Sequence, residues 1–510
     1  MSQVRTRVFV VNVIVVAALA ITGTHNAIAE PPTKVVDNPK LPAGAAGRIV
    51  SGLIDIINCP DVAALKQFAG ENYADPLLKE QEQHRRELFD LRGQFDGVKF
   101  HSIRTYEPPR AANEMRVIVR TGSDVAWLAL MLTFDQAQPD KLAAFQWTFA
   151  MPPEGLPKPQ PVPESELVPK VTEFVDGLAA RQVFSGVVLI ARRDEVLLER
   201  VWGLANRDWD IPCTIDTKFN LASMNKMFTA VAVAQLVEQG KLSYTDTIDK
   251  YLDPTWLPAE VLAKIRIEHL LTHTSGLDTY HNEKWEKSSR EVYRELADYK
   301  SLIVDDRPAF PPGAQWSYSN TGFHLLGAIV EKASGENYFD YIRAHVYKPA
   351  GMNNSDCYPL DYPVARLAVG YSPHFTPEGP TFQSNIFRHV LRGGPAGGGF
   401  STARDLLGFA RALQEGKLVS KESLRVLWTP RRDLNEVPSY AMGFHLGGGP
   451  GGSREEPNPR IVGHGGGGGD MGISSELTMH LDTGYVVIVL SNTSSGGWMV
   501  NNKILSMLPG

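Results

Sequence analysis

The sequence predicts two α+β units, and three observations predict them. A chain of 510 residues exceeds what one ordinary core holds, so two folded units are expected. Repeated proline from Pro152 to Pro163 (PPEGLPKPQPVP) fixes φ and removes backbone donors. That segment is therefore an extended linker between a first unit near residues 40–151 and a second over 164–510. Strand pairs stand at both ends of the second unit with helical runs between them. This is the pattern of one antiparallel sheet flanked by helices, beside an all-helical region.

The chain opens on an address. Arg5 and Arg7 precede an apolar run from Val8 to Ile21, broken at Asn12, and Ala27-Ile28-Ala29 makes a small-x-small cleavage site. Residues 1–29 read as an export signal leaving Glu30 as the mature N-terminus, with periplasm or medium as the destination. An uncleaved anchor is the rival, but the run is short against the about twenty apolar residues of a spanning helix. No stable membrane span is expected once the signal is removed. The composition is globular, 43% hydrophobic and 21% charged with a net charge of −6. No basic stripe is present to neutralise phosphates, which excludes a nucleic-acid partner. Cys59, Cys213 and Cys357 lie far apart without metal spacing and are expected to be structural.

In the first unit, Ile49, Leu53, Ile56 and Ile57 have helical spacing, and Asp61 is placed to cap a helix through Phe68. One polar helix is expected over Leu77 to Phe89, then strands at Val117–Val119, Ala126–Phe134 and Ala143–Phe149. This layout resembles the small cone-shaped domains of the cystatin-like and nuclear-transport-factor-like group. No paired acids or histidines there have a recognisable spacing, so a docking or spacer role is expected.

The second unit begins with a helix from Glu164 to Arg181. A hairpin follows, Gly186–Ala191 and Val196–Trp202 about a turn at Arg193-Asp194. Near the end a second hairpin, Glu476–His480 and Tyr485–Leu490, turns at Asp482-Thr483-Gly484, and a last helix covers Trp498 to Met507.

Between these hairpins stand three groups of residues with chemical potential. In Leu221-Ala222-Ser223-Met224-Asn225-Lys226, the apolar run Met227–Ala234 marks a buried helix stopped at Gly240. Ser223 then sits at the helix's first turn, with Lys226 one turn on along the same face. A serine hydroxyl needs a base to become a nucleophile, and a lysine serves when desolvation keeps it neutral. Second, Trp316-Ser317-Tyr318-Ser319-Asn320 precedes a helical run from Phe323 to Ala333, ended by Gly335. A tyrosine can share a proton with a lysine, and an asparagine can hold a substrate amide or carbonyl. Third, Val462-Gly463-His464 is followed by Gly465 to Gly469 just before the terminal hairpin. Glycines there let backbone approach a substrate and aim amides at a developing oxyanion. Gly393–Gly399 lead into Thr402 and Asp405, which read as a helix-capping pair.

The ordered set S-x-x-K, Y-x-N and H-G-G resembles the penicillin-recognising serine hydrolases: class C β-lactamases, D-alanyl-D-alanine carboxypeptidases, D-aminopeptidases and related esterases. Supporting stretches are Ile267 to Leu277 (IEHLLTHTSGL), Phe310-Pro311-Pro312-Gly313 and Ala396 to Thr402 (AGGGFST). The likeness covers about residues 170–500. It implies a β-lactamase-like fold and an acyl-enzyme mechanism without metal or organic cofactor, acting on a small-molecule or peptide substrate. By position, Ser223 would be acylated, Lys226 would be its general base and Tyr318 would share the relay. Asn320, His464 and Gly466 would bind substrate, and the N–H groups of Ser223 and Gly467 would form the oxyanion hole. His464 stands where β-lactamases and carboxypeptidases carry the lysine of K-T-G. That loss of a permanent cation fits the esterase and D-aminopeptidase branches better than a β-lactamase.

Other chemistries compete less well. His269 and His273 have the i, i+4 spacing of a zinc pair, but the glutamate of H-E-x-x-H is missing. No G-x-S-x-G elbow exists for an α/β-hydrolase. The alternative of another class is a binding or sensor protein on the same fold that has lost turnover.

Overall fold

Antiparallel sheets organise both halves of the chain. The computed structural model describes residues 34–109, 111–157, 159–430, 432–434, 437–447 and 460–509; the expected export signal at 1–29 lies outside them. The first sheet starts ahead of the expected boundary at residue 40, with β1 (Lys34–Asn38). A largely buried ion pair, Asp37 with Arg104 at 2.8 Å, ties this strand in. Helix α1 (Ala45–Asn58) buries Ile49, Leu53, Ile56 and Ile57, as their spacing requires. Asp61 caps α2 (Val62–Asn72), its carboxylate accepting the Ala64 N–H at 2.7 Å.

The single helix expected over Leu77 to Phe89 is two, α3 (Asp75–Lys79) and α4 (Gln81–Phe95), broken at Glu80. No glycine or proline marks that break. The Ala74 N–H donates to the Leu142 carbonyl at 2.9 Å, so the start of α3 is pinned to the sheet and tertiary contact overrides the local period. The remaining strands are β2 (Val98–Glu107), β3 (Glu114–Thr121), β4 (Trp127–Phe134) and β5 (Leu142–Phe149), in the order β1-β2-β3-β4-β5. The pattern reading missed β1 and β2.

Beyond the prolines come α5 (Glu164–Ala180) and the hairpin β6 (Gly186–Arg192) and β7 (Glu195–Trp202). The helices that frame the site follow: α6 (Asn225–Glu238), α7 (Ile267–Leu271) and α8 (Asn320–Ser334), the last stopped by Gly335 in the left-handed region. A small hairpin, β8 (Tyr371–Thr376) and β9 (Gly379–Ser384), precedes α9 (Ala403–Gln414). Thr402 caps α9, accepting the Asp405 N–H; Asp405 does not cap in return but takes the Asn354 N–H at 2.6 Å and the Ser355 hydroxyl at 2.7 Å. The chain closes with β10 (Arg432–Leu434), β11 (Val437–Tyr440), β12 (His445–Leu446), β13 (Ile461–Gly467), β14 (Ser474–His480), β15 (Tyr485–Ser491) and α10 (Gly496–Leu505).

The large sheet has the order β10-β11-β12-β13-β14-β15-β6-β7, so strands from both ends of the unit pair with each other, β15 against β6. Period-two alternation divides its side chains. Val187, Leu189, Ile488 and Leu490 face a core shared with α6, α8 and α9. Val188, Ile190, Val487 and Val489 face the other way, against α5 and α10.

That second layer is continuous with the core of the first sheet. Trp498 on α10 meets Phe149 edge-on at 4.9 Å, and Asp90 on α4 accepts the Phe375 N–H of β8 at 2.8 Å. A Cβ added at Gly93 would lie 2.0 Å from the Phe375 ring. The first unit is therefore seated directly on the second through close-packed surfaces. No helix among the described residues is long and apolar enough to cross a membrane.

Candidate active site

Three stretches distant in sequence converge on one serine. The first is the turn Ala222–Met224, a single 3₁₀ turn ahead of α6, so Ser223 lies just outside the helix proper. The turn is over-determined by its neighbours. Asn220 Oδ1 accepts the Ala222 N–H at 2.8 Å, and the Ala222 carbonyl accepts the Gly398 N–H at 3.1 Å. The Leu221 N–H donates to the Gly399 carbonyl at 2.7 Å. Held this way, Ala222 adopts φ 43°, a strained conformation for a residue with a side chain. Ser223 is half-buried at the crest while Lys226, one turn on, is fully buried.

The Lys226 Nζ lies 3.1 Å from Ser223 Oγ, 2.8 Å from Asn320 Oδ1 and 2.6 Å from the Ala396 carbonyl. The Tyr318 hydroxyl donates to Ser223 Oγ at 2.7 Å. Asn320 Nδ2 donates to Thr279 Oγ1 at 3.3 Å, which turns its oxygen toward the lysine. Tyr318 and Asn320 are brought here by the cap of α8, where Ser319 Oγ accepts the Gly322 N–H at 2.9 Å.

His273 pins that cap from behind. Its Nδ1 accepts the Ser319 N–H at 3.1 Å, its carbonyl accepts the Ser317 N–H at 2.9 Å, and its ring packs on Tyr318 at 4.4 Å. His269 points elsewhere, its Nδ1 accepting the Arg266 N–H at 3.1 Å. The i, i+4 pair shares no helix face, because α7 stops at Leu271 and His273 turns to φ 56°.

Burial sets the electrostatics. It pushes the Lys226 amine well below its ordinary range and the Tyr318 hydroxyl well above its own. His273 is held far below the usual imidazole value, first by burial and then by the nearby Lys226 and His445.

The glycine strand β13 forms the opposite wall. A Cβ added at Gly466 would sit 2.2 Å from the Leu221 carbonyl and 2.8 Å from the Ser223 nitrogen. Only glycine lets the strand run this close to the nucleophile's turn, so Gly466 acts here by close packing. Gly467 follows it at the strand's end. His464 is 3% exposed; its Nδ1 lies 2.5 Å from the Gly465 carbonyl and its Nε2 3.3 Å from the Tyr440 hydroxyl.

Ser223, Lys226, Tyr318 and Asn320 thus form one hydrogen-bonded chain, Tyr318 to Ser223 to Lys226 to Asn320, with Gly466 against the Ser223 turn and the buried His464 ring held between Gly465 and Tyr440. The sequence reading missed the Ala396 carbonyl, Tyr440 and the service of His273. A backbone oxygen leaves no trace in sequence, whereas the T-H-T-S-G stretch around His273 was a usable signal.

The Beta-lactamase family model matches residues 171–505, more than half of the chain. This chain belongs to the Beta-lactamase family. Members of this family are serine hydrolases, and Ser223, Lys226, Tyr318, Asn320 and His464 all lie within the matched residues. Penicillin-binding protein 4* of Bacillus subtilis (strain 168) is 32% identical over 331 residues, 62% of this chain and 69% of that protein. Esterase EstB of Burkholderia gladioli is 34% identical over 216 residues, 39% of this chain and 53% of the esterase. The crystal structure of a penicillin-binding protein from Bacillus halodurans superposes with a TM-score of 0.59 at 30% identity, over 65% of this chain and 98% of that one. The first unit lies outside the family match.

Proposed function

We propose that the protein is an exported serine hydrolase that cleaves an ester or amide through an acyl-enzyme on Ser223, with Lys226 as general base. The full burial of Lys226, which holds its amine well below the ordinary range, carries this reading, and its hydrogen bonds then fix where the lone pair points. An uncharged amine has two hydrogens and one lone pair. The Ala396 carbonyl and Asn320 Oδ1 can only accept, so they take both hydrogens. The lone pair is left for the Ser223 hydroxyl at 3.1 Å. Tyr318 cannot compete as the base, since burial keeps its hydroxyl protonated and it donates to Ser223 Oγ.

In the first step Ser223 Oγ attacks the carbonyl carbon and its proton passes to Lys226 Nζ. The tetrahedral oxyanion is met by the N–H groups of Ser223 and Gly467. The approach of Gly466 to the Ser223 nitrogen supports that pairing by keeping the end of β13 alongside the turn. The bond to the leaving group breaks, and the proton held by Lys226 reaches it directly or through the Tyr318 hydroxyl. Water then attacks the acyl carbon, gives its proton to the same pair, and Ser223 Oγ leaves with a proton restored. Helix α6 directs its N-terminus at the reacting oxygen, which favours the developing negative charge.

Esters and D-amino-acid peptides fit this site better than β-lactams, since His464 replaces the cation that would grip a β-lactam carboxylate. The likeness to an esterase supports the ester branch. Hydrolysis of p-nitrophenyl butyrate by the purified mature protein, beside Ser223→Ala, tests the proposal. Hydrolysis that the substitution abolishes supports it. Equal rates in both proteins overturn the role of Ser223, and no hydrolysis in either removes the ester branch.

A further inference from the structure

By the resemblance, His464 stands where β-lactamases and carboxypeptidases carry a lysine, yet its surroundings leave it nothing to present. The Gly465 carbonyl, 2.5 Å from Nδ1, is an acceptor only, so Nδ1 must carry a hydrogen. In an uncharged ring Nε2 then holds the lone pair, and the Tyr440 hydroxyl at 3.3 Å donates to it. Both ring nitrogens are spent on the protein itself.

We infer that Tyr440 and the Gly465 carbonyl clamp His464 as a neutral ring with no donor left over, so that the site selects acyl donors lacking a carboxylate. The substrate half of this statement rests on the acyl-transfer reading above; the clamp does not.

The neighbours from every packed element reinforce the clamp. From β12 the His445 ring stands 4.4 Å away, and its Nδ1 is buried without a partner. Beyond Tyr440 lies His273, ring to ring at 4.7 Å. Burial first, then His445 and Lys226 of α6, hold the ring well below the usual imidazole range, against the Gly465 carbonyl, whose hydrogen bond raises it. Each of these is neutral or cationic, and none offers the negative charge that would stabilise an imidazolium. The one carboxyl lining the same small cavity is Glu476 of β14, which burial keeps protonated up to about pH 8. A second proton on His464 would also point Nε2–H at Tyr440, whose own hydrogen would lose its acceptor. Tyr440 is thus a positioning residue: it acts on the substrate by occupying Nε2 and holding the orientation of the His464 ring. A carboxylate brought against this ring would shed its water and find no N–H in return.

The direct test is nitrogen NMR of the full chain labelled with ¹⁵N-histidine, using His464→Gln to assign the resonances. The wild type should show the Nδ1–H tautomer of a neutral ring that does not titrate between about pH 6 and pH 8. In Tyr440→Phe, which keeps the ring and removes the donor, the ring should stay neutral while its Nε2 resonance shifts with the loss of the hydrogen bond, and an unmoved Nε2 resonance overturns the part given to Tyr440. A wild-type His464 that is charged, titrates normally or bears its hydrogen on Nε2 overturns the clamp.

The second arm compares p-nitrophenyl butyrate with the monoanionic p-nitrophenyl succinate. The wild type should favour butyrate by at least about tenfold in kcat/KM at both about pH 6 and about pH 8, because the ring carries no charge at either. Equal use of both esters by the wild type overturns the selection. A protein inert toward both removes the ester branch of the acyl-transfer reading, and with it the substrate half, while the NMR result still decides the clamp.

Discussion

Replacing Lys226 with methionine probes the base at nearly constant volume. The substitution keeps an unbranched apolar stem in a fully buried slot and deletes only the amine. Three contacts disappear, those to Ser223 Oγ, Asn320 Oδ1 and the Ala396 carbonyl. Loss of a general base lowers the rate of acylation by about 10²–10⁴-fold. For stability two effects oppose each other. The stranded Asn320 and Ala396 oxygens cost about 1–3 kcal/mol each, while removing a desolvated amine returns a comparable amount, so near neutral pH little net change is expected.

The pH dependence separates the two. The folded amine is neutral over a range in which an unfolded lysine, with its pKa near 10.4, still binds a proton. Between the lowered folded value and about 10.4 the unfolded state holds more protons, so stability rises with pH across that window in the wild type, and Lys226→Met removes the slope. Activity follows the same group: kcat/KM climbs as pH rises through the folded pKa of Lys226. Stopped-flow release of p-nitrophenol, read as the acylation burst, measures the step itself. A variant that keeps more than about a tenth of the wild-type acylation rate refutes Lys226 as the base. So does a much larger loss in Tyr318→Phe, which would transfer the role to the tyrosine.

Gly466→Ala should cost at least about a hundredfold in kcat/KM, because its methyl would lie 2.8 Å from the Ser223 nitrogen and must displace the turn or the strand. Burial raises the Glu476 carboxyl to about 8 from the usual 4.5, so the stability it allows is present below the unfolded value and is lost as pH rises through about 8. Chemical denaturation should therefore find Glu476→Gln more stable than wild type above that pH, by up to on the order of 4–5 kcal/mol, and indistinguishable from it in acid. Gly93→Ala should lower Tm through overpacking of about 1–3 kcal/mol against the Phe375 ring while leaving kcat largely intact, which tests the seat of the first unit by calorimetry. Expression with the native N-terminus, followed by N-terminal sequencing of the exported protein, should return Glu30.

The elements legible in the sequence are those whose signal is local. The β6–β7 and β14–β15 hairpins alternate about evident turns, and α6 is apolar on every side because it is buried on every side. By contrast β2 carries His101, Ser102 and Arg104 through its middle. Its polarity makes sense only once Asp37 arrives from β1 to pair with Arg104. The start of α3 depends likewise on a hydrogen bond from Ala74 to a strand far along the chain.

At the site, the side chains of S-x-x-K and Y-x-N announced themselves, since their chemistry is in the residue type. The chemistry of Ala396 is in its backbone. That of Tyr440 is in an encounter with His464 across β11, β12 and β13, and no spacing rule reports it. His464 shows the converse: its position was readable, but the burial that lowers its pKa and the partners of its two nitrogens were not.

The account stands or falls on a covalent bond at Ser223. Acid-quenching the mature protein during turnover of p-nitrophenyl butyrate, then mapping its peptides by mass spectrometry, measures that bond. The account predicts one butyryl group on the peptide containing Ser223, absent from Ser223→Ala. A protein that hydrolyses the ester with no adduct at Ser223, or with the adduct on another residue, would contradict it.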